Sequence, residues 1–135
     1  MLITVSAGDF GQAARFKILS KDPDWVLDST TALQWQRMPG GGSMTYDIAF
    51  AYCANLGGGA RLPEIKELYS LVDYSVAYPG PFLPAGNPFL NVQSAFYWSA
   101  TPTAGYPGQE WYVDFSNGWL YGTLTSSSGY AWCVR

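Results

Sequence analysis

Histidine is absent from the 135-residue chain. With it go the commonest general base of enzymes and the commonest metal ligand. Charge is also scarce: Asp, Glu, Lys and Arg together make up 13%, about half the usual ~25%. The cations are unevenly spread. After Lys66 the only Lys or Arg is Arg135, across a stretch that carries Glu67, Asp73, Glu110 and Asp114. No basic stripe exists to displace counterions from a phosphate backbone, so no nucleic-acid partner is expected. No run approaches the ~20 apolar residues of a membrane span, so no membrane insertion is expected. Met1-Leu2-Ile3-Thr4-Val5 has neither the basic nor the sustained apolar region of a secretory signal. Two cysteines, Cys53 and Cys133, allow at most one intrachain disulfide.

Apolar side chains are plentiful. They account for 48% of the residues, with aromatics at 17%, a composition that excludes disorder and supplies a packed core. Fifteen glycines and nine prolines point to a loop-rich domain rather than a helical bundle. The length fits a single domain over 1–135.

Phe16, Ile18 and Leu19 form a short strand candidate within an N-terminal strand or extension covering 1–23. Asp24–Asp28 and Ala32–Arg37 alternate on either side of Ser29-Thr30-Thr31 and read as a hairpin. A helix follows, with Thr45 as its N-cap and Asp47 in its first turn. Ile48, Tyr52 and Leu56 recur at helical spacing with Ala49 and Cys53 beside them, as one apolar stripe. Gly57-Gly58-Gly59 ends it. A second helix is predicted to open at Leu62-Pro63, with Ile65, Leu68 and Leu71 or Val72 on its apolar face. The segment from Tyr74 to Ala95 is a long proline-rich loop holding Phe82, Leu83, Phe89 and Leu90. Strand signals return at Tyr97–Ala100, Glu110–Phe115 and Trp119–Leu124, the last two joined by the hairpin dipeptide Asn117-Gly118. Ala131–Val134 closes the chain as a last strand. The order is that of an α+β domain.

Chemistry-bearing motifs are few. Glu64 and Glu67 lie three apart on one helix face, where carboxylates stabilise the helix start. Asp22, Asp24 and Asp28 lack the spacing, central glycine and closing Glu of a calcium loop. The two triple-glycine runs carry no following Lys-Ser/Thr. No serine has a histidine partner. No cofactor, metal or catalytic group is implied.

The informative stretch is Tyr97–Trp132, where Tyr, Trp, Ser, Gly and Thr make up 23 of 36 residues. Recognition loops of antibodies have this composition: rigid aromatics give contact area, and small polar residues give adaptable hydrogen bonds. Strand alternation puts Trp98, Trp111, Val113, Phe115 and Leu120 in the core. It turns Trp119, Tyr121 and Thr123 outward. Together with Tyr106, Gln109, Ser126, Ser128, Tyr130 and Trp132, these form the expected ligand-binding surface.

Six motifs occur in series: Trp35-Gln36-Arg37, Tyr52-Cys53-Ala54-Asn55-Leu56, Arg61-Leu62-Pro63-Glu64-Ile65-Lys66-Glu67-Leu68, Tyr97-Trp98-Ser99-Ala100-Thr101, Trp111 through Gly118, and Cys133-Val134-Arg135. From about Asp24 to Arg135 the chain resembles the Lcl C-terminal domain family, a domain of unknown function. The resemblance implies a C-type-lectin-like fold, two helices flanking small antiparallel sheets with long loops. It places the Cys53 helix against the C-terminal strand, with a disulfide between Cys53 and Cys133 formed in an oxidising compartment. Ala60 and Trp132 stand where the family commonly has tryptophan and arginine, and the second difference puts an exposed aromatic in the terminal strand.

Members of this fold serve as variable proteins of diversity-generating retroelements, and the aromatic and small-polar scatter here resembles such a product. The lectin calcium motifs, Glu-Pro-Asn, Gln-Pro-Asp and Trp-Asn-Asp, are absent. The expected function is a non-enzymatic ligand-binding module for receptor binding or adhesion. Its partner would be a protein or glycan on another cell or particle, and its place a virion or cell surface. The alternatives are a structural subunit of such a surface and an enzyme on the formylglycine-generating scaffold. The enzyme is disfavoured by the lack of histidine and of a copper-type cysteine pair.

Overall fold

The computed structural model describes residues 15–135; the part of the N-terminal extension expected over 1–14, and the opening pentapeptide, lie outside the described residues. The first sheet joins β1 (Phe16–Ile18), β2 (Trp25–Asp28) and β3 (Leu33–Gln36), antiparallel in sequence order. The β2–β3 hairpin is the predicted one. The second sheet joins β4 (Phe96–Pro102), β5 (Gln109–Asp114) and β6 (Trp119–Leu124), also antiparallel in sequence order. Helices α1 (Tyr46–Asn55) and α2 (Ile65–Tyr69) lie between the sheets in sequence. An α+β domain with two antiparallel sheets and two short helices is therefore established.

β4 organises the core. Strand alternation sends the adjacent Tyr97 and Trp98 to opposite faces, and each anchors its own buried cluster. Tyr97 packs with Trp35, Leu68, Leu71, Val113, Phe115 and Trp132. Trp98 packs with Ala49, Cys53, Leu62 and Cys133. Both faces of β4 are covered, whereas β6, at the far edge of the sheet, is more open. Leu120, expected in the core, lies on that edge strand and is 38% exposed; Trp111, also expected there, faces Gly122 across the β5–β6 ladder, which supplies no side chain to cover it, and is only partly buried. Trp98, Val113 and Phe115 are fully buried as expected.

Two helical expectations need correction. In α1 the buried side chains are Ala49 and Cys53, while Ile48 and Leu56 point outward. The small residues face the protein because the helix is bonded there: Cys53 and Cys133 form a disulfide, with Cα atoms 5.3 Å apart. Ala49, one turn earlier, lets the backbone approach the Trp98 cluster. In the second helix, Leu62 and Pro63 precede the first turn rather than opening it. Glu64 is the N-cap, closing a capping box with Glu67. The pairing expected from the resemblance is thus present, and the apolar stripe is rotated.

The segment expected as a last strand forms only isolated bridges, with Val134 facing both Trp35 and Arg61. It threads between β3 and the approach to α2. Gln36 N–H donates to the Cys133 carbonyl at 3.1 Å, and Arg61 and Val134 exchange two bonds of 2.9 Å. Such a path is buried on every side, so Ala131, Trp132, Cys133 and Val134 are all fully covered.

Candidate functional site

The outward side of the second sheet is fixed by the β5–β6 register, in which Glu110 faces Thr123, Tyr112 faces Tyr121 and Asp114 faces Trp119. Asn117-Gly118 makes the turn, and Gly118 is required there twice over. Its φ is +77°, and a Cβ would lie 2.7 Å from the Tyr74 ring. Directly opposed side chains in antiparallel strands touch, and Tyr112 and Tyr121 stack with centroids 5.4 Å apart.

The stack belongs to a longer row. Trp119 lies 6.1 Å from Tyr121, Tyr112 lies 4.3 Å from Phe96, and Phe96 lies 5.8 Å from Trp98. Trp98 meets Tyr46 at 5.7 Å, and Tyr46 meets Phe50 at 6.1 Å. Seven rings thus run from the β6 edge, through a fully buried tryptophan, to the outer side of α1. Both ends are open, with Trp119 59% and Phe50 50% exposed.

Polar groups line the same side. Thr123 Oγ1 and Ser127 Oγ are 3.0 Å apart. The loop after β6 crosses toward α1: Tyr46 N–H donates to Thr125 O at 3.2 Å, and Met44 and Gly129 exchange two bonds of 2.8 Å. Glu110 stands beside Thr123, and its Oε2 is buried with no hydrogen-bond partner. Burial pushes its carboxyl above the ordinary value. The Tyr46 phenol is pushed up by burial and then by the charges of Glu110 and Asp47. Tyr112 is pushed up by burial and then by Asp114 and Tyr121.

The expected binding residues divide accordingly. Trp119, Tyr121 and Thr123 share this face, and Ser126 and Ser128 are exposed in the adjoining loop. Tyr106 is exposed in the β4–β5 turn. Gln109 instead belongs to the opposite face, where its side chain lies beside Gly122 and Thr103. Tyr130 is partly buried against Tyr97. Trp132 is wholly buried, which corrects the exposed aromatic expected there. It packs among Trp35, Phe89, Tyr97 and Phe115.

Sequence reasoning missed Tyr46, Phe50, Phe96, Glu110 and Tyr112. Tyr112 and Glu110 follow from pairing two strands across Asn117-Gly118. The α1 aromatics carry no local signal, since only tertiary packing brings the helix to the sheet.

A separate cavity of about 450 Å³ is lined by Trp25, Arg37, Met38, Leu56, Leu90 and Arg135, among others, and contains none of these face residues. It lacks the convergent aromatic surface of the sheet. Among the described residues no three Cys, Asp or Glu side chains gather as a metal site. No described helix is long and apolar enough to cross a membrane.

The C-terminal disulfide, the capping box at Glu64 and the buried Trp98 strand belong to one continuous unit. The model of the Lcl C-terminal domain matches residues 24–135. The chain belongs to that family. No curated protein matches the chain. In this Lcl C-terminal domain the matched span begins just before β2 and takes in both helices and the whole second sheet.

Proposed function

We propose that the protein is a non-enzymatic ligand-binding module with a C-type-lectin-like fold. It engages a protein or glycan on another cell or particle through the outward face of β5 and β6. The observation that carries this reading is the ring row. Trp119, Tyr121 and Tyr112 are open at one end and backed at the other by fully buried Trp98. Rings held by packing lose little freedom on contact, so their area goes into affinity. Exposed aromatics on a soluble domain are usually reserved for contacts.

Receptor binding or adhesion at a virion or cell surface is the role such a face serves. The small polar residues around it, Thr123, Ser126, Ser127 and Ser128, are those of the variable surface in a retroelement-diversified protein. The test is binding to intact cells and to a glycan array, comparing wild type with Trp119→Ala and Tyr121→Ala. Loss of binding with an unchanged melting temperature supports the reading. Equal binding by all three proteins sinks it, and no binding by any of them favours a structural subunit.

A further inference from the structure

We infer that this face receives a cationic side chain of a protein partner, an arginine or lysine laid over the Tyr112–Tyr121 pair toward Glu110. The inference rests on the reading of the face as a ligand surface and adds the chemistry of what it takes.

The first ground is charge without a counter-charge. Between Lys66 and Arg135 the sequence holds no Lys or Arg, so the second sheet has acids and no cation of its own. The ion pairs among the described residues are Arg15–Asp28, Arg61–Glu67, Lys66–Glu64 and Arg135–Asp22. Every one lies away from Asp47, Glu110 and Asp114. Glu110 feels burial and no compensating basic group.

The second ground is the placement of that carboxylate. Thr123 is in register opposite it, Tyr112 follows two residues on along the same face, and its charge reaches the Tyr46 phenol. One of its oxygens is buried and unpartnered. An unpaired buried acceptor is costly, and the protein retains it at the edge of an aromatic surface.

The third ground is the rings themselves. Tyr and Trp faces attract cations, arginine most often, and the attraction grows when the cation is desolvated. Tyr112 is held between Tyr121 and Phe96, and Glu110 stands two residues before it on the same strand face, so a guanidinium at the outer side of Tyr121 meets aromatic surface and a hydrogen-bonding carboxylate together. Sulfated or phosphorylated ligands would meet Glu110, Asp47 and Asp114 as like charges. A neutral sugar would stack on the rings but leave the Glu110 charge uncompensated.

The experiment is calorimetric titration at low salt with a blocked tetra-arginine peptide, with a blocked tetra-aspartate peptide as the reverse-charge probe. Wild type binds tetra-arginine and not tetra-aspartate. Glu110→Gln weakens it by about fivefold or more, and Tyr121→Ala at least as much. Asp24→Asn, an exposed acid beside the other cavity, leaves binding unchanged. Melting curves establish that each variant is folded. Absence of tetra-arginine binding, unchanged affinity in Glu110→Gln, or an equal loss in Asp24→Asn each overturns the inference. If a glycan is bound instead, and binding is lost in Tyr121→Ala but kept in Glu110→Gln, the ligand face stands and the cationic partner falls. If neither Trp119→Ala nor Tyr121→Ala changes binding of any probe, both fall together.

Discussion

The indole N–H of Trp132 donates to the backbone carbonyl of Gln36 at 2.8 Å, and the two residues lie 96 apart in sequence. The Gln36 side chain returns the tie by accepting from Cys133 N–H at 2.8 Å. A tryptophan in this setting is part of the framework. Trp132→Ala removes a fully buried ring from the centre of the larger core, and it leaves the Gln36 carbonyl without that donor. It should destabilise by ~3–5 kcal/mol. Trp119→Ala, at the exposed end of the ring row, should stay within ~0.5 kcal/mol. Urea denaturation followed by far-UV circular dichroism separates the two. Equal midpoints for both variants would show that exposure does not divide scaffold from surface here.

The Cys53–Cys133 bridge joins residues separated by 80 positions. In the chain-entropy view, closing a loop that long stabilises by ~4–5 kcal/mol, and removal of native bridges costs ~2–5 kcal/mol. The Cys53→Ser/Cys133→Ser double variant should therefore melt well below wild type under oxidising conditions. With reductant present the difference should disappear. A difference that persists after full reduction would place the effect in packing by the sulfur atoms instead.

How far the sequence anticipates this molecule depends on where each signal is stored. All six strands follow from alternation and turn residues, which are local. The Asn117-Gly118 hairpin is legible because only glycine meets the turn's positive φ and the close approach of Tyr74. The rotation of α1 is not legible. Ile48, Tyr52 and Leu56 make a better apolar stripe than Ala49 and Cys53, but a covalent tie and a close helix approach select the smaller side chains. Trp132 misleads for a related reason. Its neighbours Ser128, Gly129 and Tyr130 look like a recognition loop, and the long-range bonds to Gln36 that bury it leave no trace nearby. The site was half visible. Alternation puts Trp119, Tyr121 and Thr123 on one strand face, as the β5–β6 register has them, while Tyr46 and Phe50 reach that side only through tertiary packing.

Opposite carboxyl shifts predict a stability profile with two limbs. At Asp28 burial raises the pKa, but hydrogen bonds from Arg15 and Thr30 outweigh it and hold the carboxyl below its usual range. At Glu67 the Arg61 hydrogen bond has the same lowering effect. Groups with lowered pKa stabilise above their unfolded values, ~3.9 for Asp and ~4.3 for Glu, and lose that contribution as pH falls through the folded values. Glu110 has the opposite sign. Its raised pKa means that the ionised form burdens the native state at neutral pH, and acidification toward ~4.3 relieves it. Stability should rise slightly from neutral to mildly acid pH and then fall steeply. Glu110→Gln should be more stable than wild type at pH 7 and lose the rising limb only. Melting temperatures across pH 2–8 test this, and a Glu110→Gln variant less stable than wild type at pH 7 would reverse the assignment.

Gly129 tests how tightly the ring row is held. It exchanges two backbone hydrogen bonds with Met44, and its backbone is not in the left-handed region, so alanine brings no conformational strain of its own. What it brings is a methyl group placed on the Phe96 ring, against Cε2 and Cδ2. Phe96 has little room to yield, since it is wedged between Trp98 at 5.8 Å and Tyr112 at 4.3 Å. Overpacking at such a place costs ~1–3 kcal/mol. Gly129→Ala should therefore destabilise by that amount and shift the Phe96 and Tyr112 ring resonances. A double-mutant cycle isolates the cause. In a Phe96→Leu background the methyl meets a smaller and more flexible side chain, so the cost of Gly129→Ala should fall by more than half, a coupling of the size expected for residues in contact. An undiminished cost would mean that the methyl acts on the Met44 bridge and not on the aromatic row.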